Sequence, residues 1–208
     1  IIEDDPYSLL NYGAPPPPSL KQLDSYGGVI HLGTFSKIVF PGLRTGWVHA
    51  APQVINRLAQ EKQYVDLHSH NLAQMILHIC LEEDSLSPHL IRVRREYKKR
   101  RDAMASAIRR YCGATMDFEP VSGGLYLWGR LGPSIAPTEL LRRAAAVGVS
   151  FVPGDAFYTH GTESHEIRLC FATHAEDLLI EGIRRLGRIL ADTAAHPARR
   201  DTGGSPII

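Results

Sequence analysis

One lysine in the chain is surrounded by residue types that carry chemistry on amino groups. Lys37 ends the run Gly33-Thr34-Phe35-Ser36-Lys37, and Pro41-Gly42-Leu43-Arg44 follows it. The run Asp4-Asp5-Pro6-Tyr7 lies upstream. An amine can bond covalently to an aldehyde, and a carboxylate can hold a positively charged ring nitrogen. Hydroxyls with a guanidinium can bind a phosphate. The set therefore matches a phosphorylated aldehyde cofactor.

Pyridoxal 5'-phosphate (PLP) is the cofactor that needs these groups. We assign its covalent attachment to Lys37, its ring-nitrogen carboxylate to Asp4 and the hydroxyl beside its phenolic oxygen to Tyr7. The phosphate is assigned to two hydroxyls and one guanidinium, those of Thr34, Ser36 and Arg44. Each element alone has a simpler interpretation, because a lone lysine is usually solvated and Asp-Asp-Pro-Tyr is typical of a turn. The combined order and spacing favour the cofactor.

At these residues the chain resembles the class I/II aminotransferases of PLP fold type I, especially the branch with 2-aminoadipate and kynurenine aminotransferases. The same module forms the C-terminal part of MocR-type regulators, where it follows a DNA-binding domain. Three later stretches also resemble the family: Ser122 to Trp128, Val152 to Gly154 with Phe157, and Ile167 to Ala172. The resemblance implies a C-terminal portion only, because the family fold begins well before the aspartate strand. The part before it carries a phosphate loop and an aromatic that stacks on the cofactor.

The resemblance implies the site residues and their roles. Lys37 is the catalytic residue and holds the cofactor together with Asp4, Pro6, Tyr7, Thr34, Ser36 and Arg44. Arg168 binds the α-carboxylate of the substrate, and its alternative role is a structural salt bridge with Glu166 or Asp155. Tyr126 and Trp128 lie near the substrate, with packing in the strand core as an equal alternative.

The fold class expected from the resemblance is α/β, with the C-terminal half of the large domain followed by a small α+β domain. We expect the large-domain part over 1–88, a long interdomain helix over 89–112, the small domain over 113–191 and a disordered tail over 192–208. Ser87-Pro88 predicts the start of the long helix, and Thr173 with Glu176 predicts a capping box for the last one. The apolar run Leu72 to Leu81 predicts a buried helix, and Ile1-Ile2 a buried strand.

Composition excludes several other classes of function. A net charge of +1 gives no general electrostatic case for a nucleic-acid or membrane partner. The three cysteines, Cys80, Cys112 and Cys170, lack a metal or disulfide spacing and fit a reducing cytoplasm. Asp66, His68 and His70 could bind a metal by type, but local capping or dimer contacts are better explanations, so no metal is expected. The basic run Arg92 to Arg101 is interpreted as the solvated face of a helix.

Two functions of different classes remain open. The first is a PLP-dependent aminotransferase that acts on an α-amino acid with a 2-oxo acid acceptor, as a cytoplasmic homodimer and as part of a longer chain. The second is a PLP- or effector-sensing domain of a MocR/GntR-type transcription regulator, which would contact DNA only through an N-terminal winged-helix domain. An inactive truncated half is a third, weaker alternative.

Overall fold

The computed structural model describes residues 1–13, 15–160 and 164–195. They form two compact units, the first of residues 1–96 with 122–124 and the second of residues 97–121 and 125 onward. The domain boundaries expected from the sequence stay a prediction. The expected disordered tail, 192–208, lies outside the described residues from position 196 onward.

The first unit has a three-stranded sheet that brings the predicted cofactor residues to one edge. Its strands are β1 (Ile2–Asp4), β2 (Ile30–Thr34) and β3 (Gly46–His49), in the order β1-β2-β3. β1 and β2 are parallel, so their carboxyl ends lie at the same edge. Ile1 and Ile2 are 75% and 70% exposed, so the expected burial of this strand is wrong for this chain.

The helices of the first unit are α1 (Leu20–Leu23), α2 (Pro52–Val65) and α3 (Asn71–Glu82). The predicted burial of α3 is wrong, because only Ala73 and Leu77 are buried and one helix face alone packs against this unit. Its other large apolar side chains are exposed: Leu72, Met75, Ile76, Ile79 and Leu81.

The longest helix, α4 (Leu86–Tyr111), begins in the first unit and continues into the second. Its predicted start at Ser87-Pro88 is wrong, because helical structure begins at Leu86. Pro88 is tolerated in the first turn, where the N–H that proline lacks would have no partner in the helix. The Ser87 hydroxyl donates to the Asp84 carboxylate over 2.7 Å. One face of α4 is apolar and buried, at Leu90, Met104 and Ile108.

The second unit has an antiparallel sheet of β4 (Met116–Phe118), β5 (Tyr126–Leu131), β6 (Val152–Pro153) and β7 (Glu166–Cys170). The strand order is β4-β5-β7-β6. Side chains alternate between the two faces of a strand. One face carries the buried Leu127, Leu131, Ile167 and Leu169, so the side chains between them lie on the opposite face.

Two helices complete this unit, α5 (Pro137–Ala145) and α6 (Glu176–Ala195). One face of α6 is apolar and buried, and it consists of Leu179, Ile183, Leu186 and Leu190. The predicted capping box is wrong, because α6 begins at Glu176, whereas a cap at Thr173 requires a helix that begins directly after it. Within the described ranges, no helix has the length and apolar character needed to cross a membrane.

Candidate functional site

Lys37 lies in a tight turn that directly follows β2. The buried Ile38 anchors this turn, and the Val39 amide donates to the Phe35 carbonyl over 2.9 Å. Lys37 itself is half-buried. The turn therefore holds Lys37 close to the edge at which β1 and β2 end.

Lys37 differs from the other lysines in having no partner. Lys21, Lys62 and Lys98 pair with Asp24, Asp66 and Asp102, and Lys99 also has an interaction partner. Within the part of the chain that the structure describes, the Lys37 amine makes no hydrogen bond or ion pair. A half-buried amine without an internal partner is available to an external one.

A histidine from α4 supports the lysine turn from behind. His89 Nε2 lies 3.0 Å from the Ile38 carbonyl oxygen, and His89 Nδ1 lies 3.2 Å from Arg92 Nη2. A guanidinium can only donate, so Nδ1 accepts and we infer the tautomer in which Nε2 carries the proton. No local pattern in the sequence predicts this contact, because 51 positions separate His89 from Ile38.

The turns before and after Lys37 bring Ser36 and Arg44 together. Arg44 Nη1 donates to the Ser36 hydroxyl over 3.4 Å and to the Pro41 carbonyl over 3.3 Å. Arg44 has a φ of 50°, a left-handed conformation that costs a residue with a side chain about 1–2 kcal/mol. Such strain is retained where the surrounding structure requires it, often at functional sites.

The Thr34 hydroxyl holds the same turn by its local hydrogen bonds. It accepts from the Ser36 amide over 3.1 Å and donates to the Thr45 carbonyl over 3.3 Å. Of the three predicted phosphate ligands, Ser36 and Arg44 therefore contact each other, while Thr34 supports the backbone between them.

The two adjacent aspartates after β1 have different surroundings. Asp4 is the last residue of β1 and is exposed. The Asp5 carboxylate accepts from the Ser8 amide over 2.9 Å and lies 3.5 Å from His31 Nε2, a contact too long for a well-formed hydrogen bond. Burial opposes ionisation of Asp5, but hydrogen bonds from Ser8 and Tyr7, with His31 nearby, hold its pKa below the ordinary value. Asp4 is thus the carboxylate left available at the edge.

These groups fit the chemistry of PLP. The carboxyl ends of β1 and β2 lie where α/β sheets bind ligands, and a carboxylate, an amine, a hydroxyl and a guanidinium lie at or after these ends: Asp4, Lys37, Ser36 and Arg44. Pro6 and Tyr7 follow Asp4 directly, and Tyr7 precedes the 3-10 turn Ser8–Leu10. The Arg44–Ser36 contact joins the two kinds of donor that bind a phosphate dianion best.

Arg168 lies in the second unit, on the face of the sheet opposite the buried residues. Its guanidinium carbon is 4.2 Å from the centroid of the Tyr126 ring and 4.8 Å from that of Phe157. Its Nε is buried and has no hydrogen-bond partner among the described residues. A buried donor without an acceptor is costly, and an acceptor on a bound ligand would remove that cost.

The acids proposed as alternative partners of Arg168 bind other groups. Glu166 pairs with Arg130 over 3.3 Å and accepts from the Tyr158 hydroxyl. The hydrogen bond from Tyr158, with further ones from Trp128 and Arg130, lowers the pKa of Glu166. Asp155 accepts from the Ser164 amide over 2.7 Å. The structure therefore gives no support to a salt bridge between Arg168 and either acid.

Tyr126 and Trp128 lie on the same face as Arg168 rather than in the core. The residue between them, Leu127, is completely buried on the other face. Trp128 is the cross-strand neighbour of Arg168, and its ring meets the Phe157 ring edge-on at 5.3 Å. Both side chains are half-buried on this face, so their place near the substrate stays a prediction beside a packing role within the sheet.

The residues considered for a metal have local structural roles. His70 Nδ1 caps α3 by accepting from the Ala73 amide over 3.2 Å, which confirms the capping interpretation. Asp66 ends α2 and pairs with Lys62. Across the described residues, no group of three or more His, Cys, Asp or Glu side chains is arranged to hold a metal ion.

Comparison with known proteins connects this geometry to a family. The family model "Aminotransferase class I and II" matches residues 1–186. The chain is 38% identical over 192 residues to aromatic-amino-acid aminotransferase 1 of Thermococcus litoralis, covering 92% of this chain and 46% of that protein. It is 34% identical over 204 residues to the uncharacterized HTH-type transcriptional regulator YisV of Bacillus subtilis, covering 96% and 39% respectively.

A solved structure shows the same fold. The α-aminoadipate aminotransferase LysN of Thermus thermophilus, complexed with N-(5'-phosphopyridoxyl)-L-leucine, superposes with a TM-score of 0.88 at 39% identity. The match covers 93% of this chain and 50% of LysN, so the chain spans about half the length of the relatives it matches. The α/β architecture predicted from the sequence, that of PLP fold type I, is confirmed. The chain belongs to the class I and II aminotransferases, a family of PLP-dependent proteins.

Proposed function

We propose that the protein is a PLP-dependent aminotransferase that moves an amino group from an α-amino acid to a 2-oxo acid. The observation that carries the proposal is the half-buried Lys37 amine, which has no partner among the described residues. The similarity to two aminotransferases over more than nine-tenths of the chain supports it.

Each residue of the first unit has a role that follows from its chemistry. When bound, PLP supplies an aldehyde that links to amines and a ring that withdraws electrons from the substrate Cα. Asp4 would hold the proton of the ring nitrogen, while Pro6 and Tyr7 would lie beside the phenolic oxygen. Ser36 and Arg44, with Thr34 behind them, would bind the phosphate. These residues bind and orient the cofactor.

Lys37 and Arg168 act on the substrate. The Lys37 amine would take the proton from the substrate Cα as a general base and would deliver it, as a general acid, to the C4′ carbon of the cofactor. Arg168 binds the α-carboxylate in two-pronged geometry and so fixes the direction of the Cα–H bond. The buried Arg168 Nε supports this role, because it needs an acceptor.

The test is amino-group transfer by the full-length protein. An α-amino acid and 2-oxoglutarate are incubated with wild type and with Lys37→Ala, and the new amino acid is measured. Loss of general acid–base catalysis predicts a rate roughly a hundredfold to ten-thousandfold lower for the variant. Equal rates in the two proteins would remove Lys37 from the mechanism.

The second candidate is a PLP- or effector-sensing domain of a MocR/GntR-type regulator. The similarity to YisV over 96% of this chain favours it. The two candidates differ in turnover, because a sensor binds the same amino acid without sustained release of product. Failure of the wild-type protein to transfer amino groups while it still binds PLP through Lys37 would favour the regulator.

Compartment and assembly are also part of the proposal. We place the protein in the cytoplasm, where its free thiols Cys80, Cys112 and Cys170 would stay reduced. We propose a homodimer in solution, and the exposed apolar side chains of α3 support contact with another polypeptide.

A further inference from the structure

The guanidinium of Arg168 lies over two aromatic rings. Tyr126 is on β5 and contributes one ring, and Phe157 is in the 3-10 turn Gly154–Phe157 and contributes the other. A cation over an aromatic face is attracted by the ring quadrupole, more strongly when water is excluded. The N–H groups of a guanidinium lie in its plane, so a guanidinium that stacks on a ring keeps them for hydrogen bonding.

The ring of Phe157 is held in place by contacts that do not involve Arg168. Phe157 meets Trp128 edge-on, with an interplanar angle of 74°. Trp128 is in turn held on β5, which pairs with β4 on one side and β7 on the other. Phe157 is nevertheless 46% exposed, so its position depends on these contacts rather than on burial.

The turn that carries Phe157 is fastened to the residues that precede β7. The Asp155 carboxylate accepts from the amide of the buried Ser164 over 2.7 Å. A Cβ added to Gly154 would lie 2.3 Å from the Ser164 hydroxyl and 2.9 Å from the Glu166 carbonyl, so only glycine permits this close approach. The backbone of Glu166, two residues before Arg168, thus helps to position the turn that carries the Phe157 ring. The Glu166 carboxylate binds Arg130 and Tyr158 instead of Arg168.

We infer that Phe157, together with Tyr126, is a positioning residue that holds the Arg168 guanidinium so that only its edge can receive a carboxylate. The inference rests on the proposed role of Arg168. The rings fix the plane in which two oxygen atoms must approach, and the unpaired Nε supplies one of the two donors. Phe157 need not touch the substrate to do this.

The test uses calorimetric binding to the full-length protein with two probes, 3-phenylpropanoate and the neutral 3-phenylpropanamide. Phe157→Leu removes the ring but keeps an apolar side chain, and Phe157→Tyr keeps the ring. Tyr64→Leu, at an aromatic that is 88% exposed in the first unit, is the matched control. Thermal unfolding of each variant is measured alongside.

Phe157→Leu should weaken carboxylate binding about tenfold, the effect of one well-placed cation–π contact, and change amide binding less than about twofold. Phe157→Tyr and the control should stay within about twofold of wild type for both probes, since neither loses the ring over the guanidinium. Equal weakening for both probes, or no weakening by Phe157→Leu, would overturn the positioning role. Arg168→Lys separates the two proposals: if it also leaves the preference for the carboxylate unchanged, the proposed role of Arg168 is what fails.

Discussion

Asp4 and Asp5 are neighbours in sequence, but only Asp4 is free to act on a ligand. The account predicts that Asp4→Asn slows proton transfer at the substrate roughly a hundredfold, as expected when one preorganised charge is lost. Its effect on PLP affinity should be much smaller. The measurement is the single-turnover rate of the half-reaction in the full-length protein. A rate within about threefold of wild type, less than about 1 kcal/mol, would exclude the assigned role.

Asp5→Asn is the matched control for that prediction. Asp5 caps the turn at Ser8 and lies beside His31, so its loss should lower the free energy of unfolding by about 1 kcal/mol and leave proton transfer nearly unchanged. If Asp5→Asn slows proton transfer and Asp4→Asn lowers only the free energy of unfolding, then Asp5 holds the ring nitrogen and Asp4 has the structural role.

Cys112 is the one cysteine whose surroundings give a prediction in pH. The residue is 1% exposed, and burial raises the pKa of its thiol to about 11 from an ordinary value of 9.0. Because the folded state favours the neutral thiol, this stabilisation is complete below about pH 9 and is lost as the pH rises towards about 11. A shift of this size corresponds to about 3 kcal/mol at most.

The measurement is the free energy of unfolding of wild type and Cys112→Ala between about pH 8 and pH 11. The difference in the free energy of unfolding between wild type and Cys112→Ala should become smaller above about pH 9. Alkylation at about pH 8 should also label Cys80 and Cys170 before Cys112, because those two are partly exposed. Labelling of Cys112 first would contradict the burial on which both expectations depend.

At the scale of elements, arginines in the basic stretch of α4 connect this helix to other segments by hydrogen bonds to backbone carbonyls. Arg101 donates to the Val121 carbonyl over 2.6 Å and Arg100 to the Ala172 carbonyl over 2.7 Å, all within the second unit. Arg101→Met should therefore lower the free energy of unfolding by about 1–3 kcal/mol, the cost of losing a charged hydrogen bond to the backbone. Arg95→Met, which removes an exposed ion pair with Glu96, should change it by less than about 0.5 kcal/mol. Denaturant unfolding measures the free energy of unfolding of both variants. Equal effects would show that the hydrogen bond from Arg101 to the backbone does not contribute to stability.

α4 also supports the lysine turn through His89. His89→Ala should increase amide hydrogen exchange in residues 35–39, because the Ile38 carbonyl loses its donor. Arg92→Ala, which removes only the second partner of the imidazole, should have the smaller effect. Unchanged exchange in His89→Ala would show that the turn is held by its own backbone bonds alone.

Local patterns were predictable from the sequence, and contacts between distant elements were not. The motif around Lys37 lies within a few consecutive residues. The apolar faces of α4 and α6 repeat every three or four positions, and this period can be read from the sequence. The contact of His89 with Ile38 and the ring contacts of Arg168 join segments that are distant in sequence. Residue spacing therefore does not predict these contacts. The sequence pattern predicts Ser87 as an N-cap. In the structure its hydroxyl donates to the nearby Asp84 carboxylate instead of capping the helix. The exposure of α3 could not be predicted, because apolar composition does not say which faces find neighbours.

At the scale of the whole molecule, the sharpest expectation concerns what this chain can bind by itself. It spans about half the length of its relatives, and the phosphate donors proposed within the described residues are Arg44 and Ser36, with Thr34 behind them. Each charged hydrogen bond to a ligand contributes about 1.5–3 kcal/mol, so donors supplied from outside these residues would change affinity by orders of magnitude. We predict that the 208-residue chain alone binds PLP at least about tenfold more weakly than the full-length protein, measured by spectroscopic titration. Equal affinities would show that this chain contains the complete site.

The most direct test is to find which lysine bonds to PLP. The full-length protein is incubated with PLP and reduced with borohydride, and the pyridoxyl-bearing peptide is identified by mass spectrometry. The account predicts the adduct on Lys37 and its absence in Lys37→Ala, because every other lysine of this chain already has a partner. A stoichiometric adduct on another lysine, retained when Lys37 is replaced, would contradict the account.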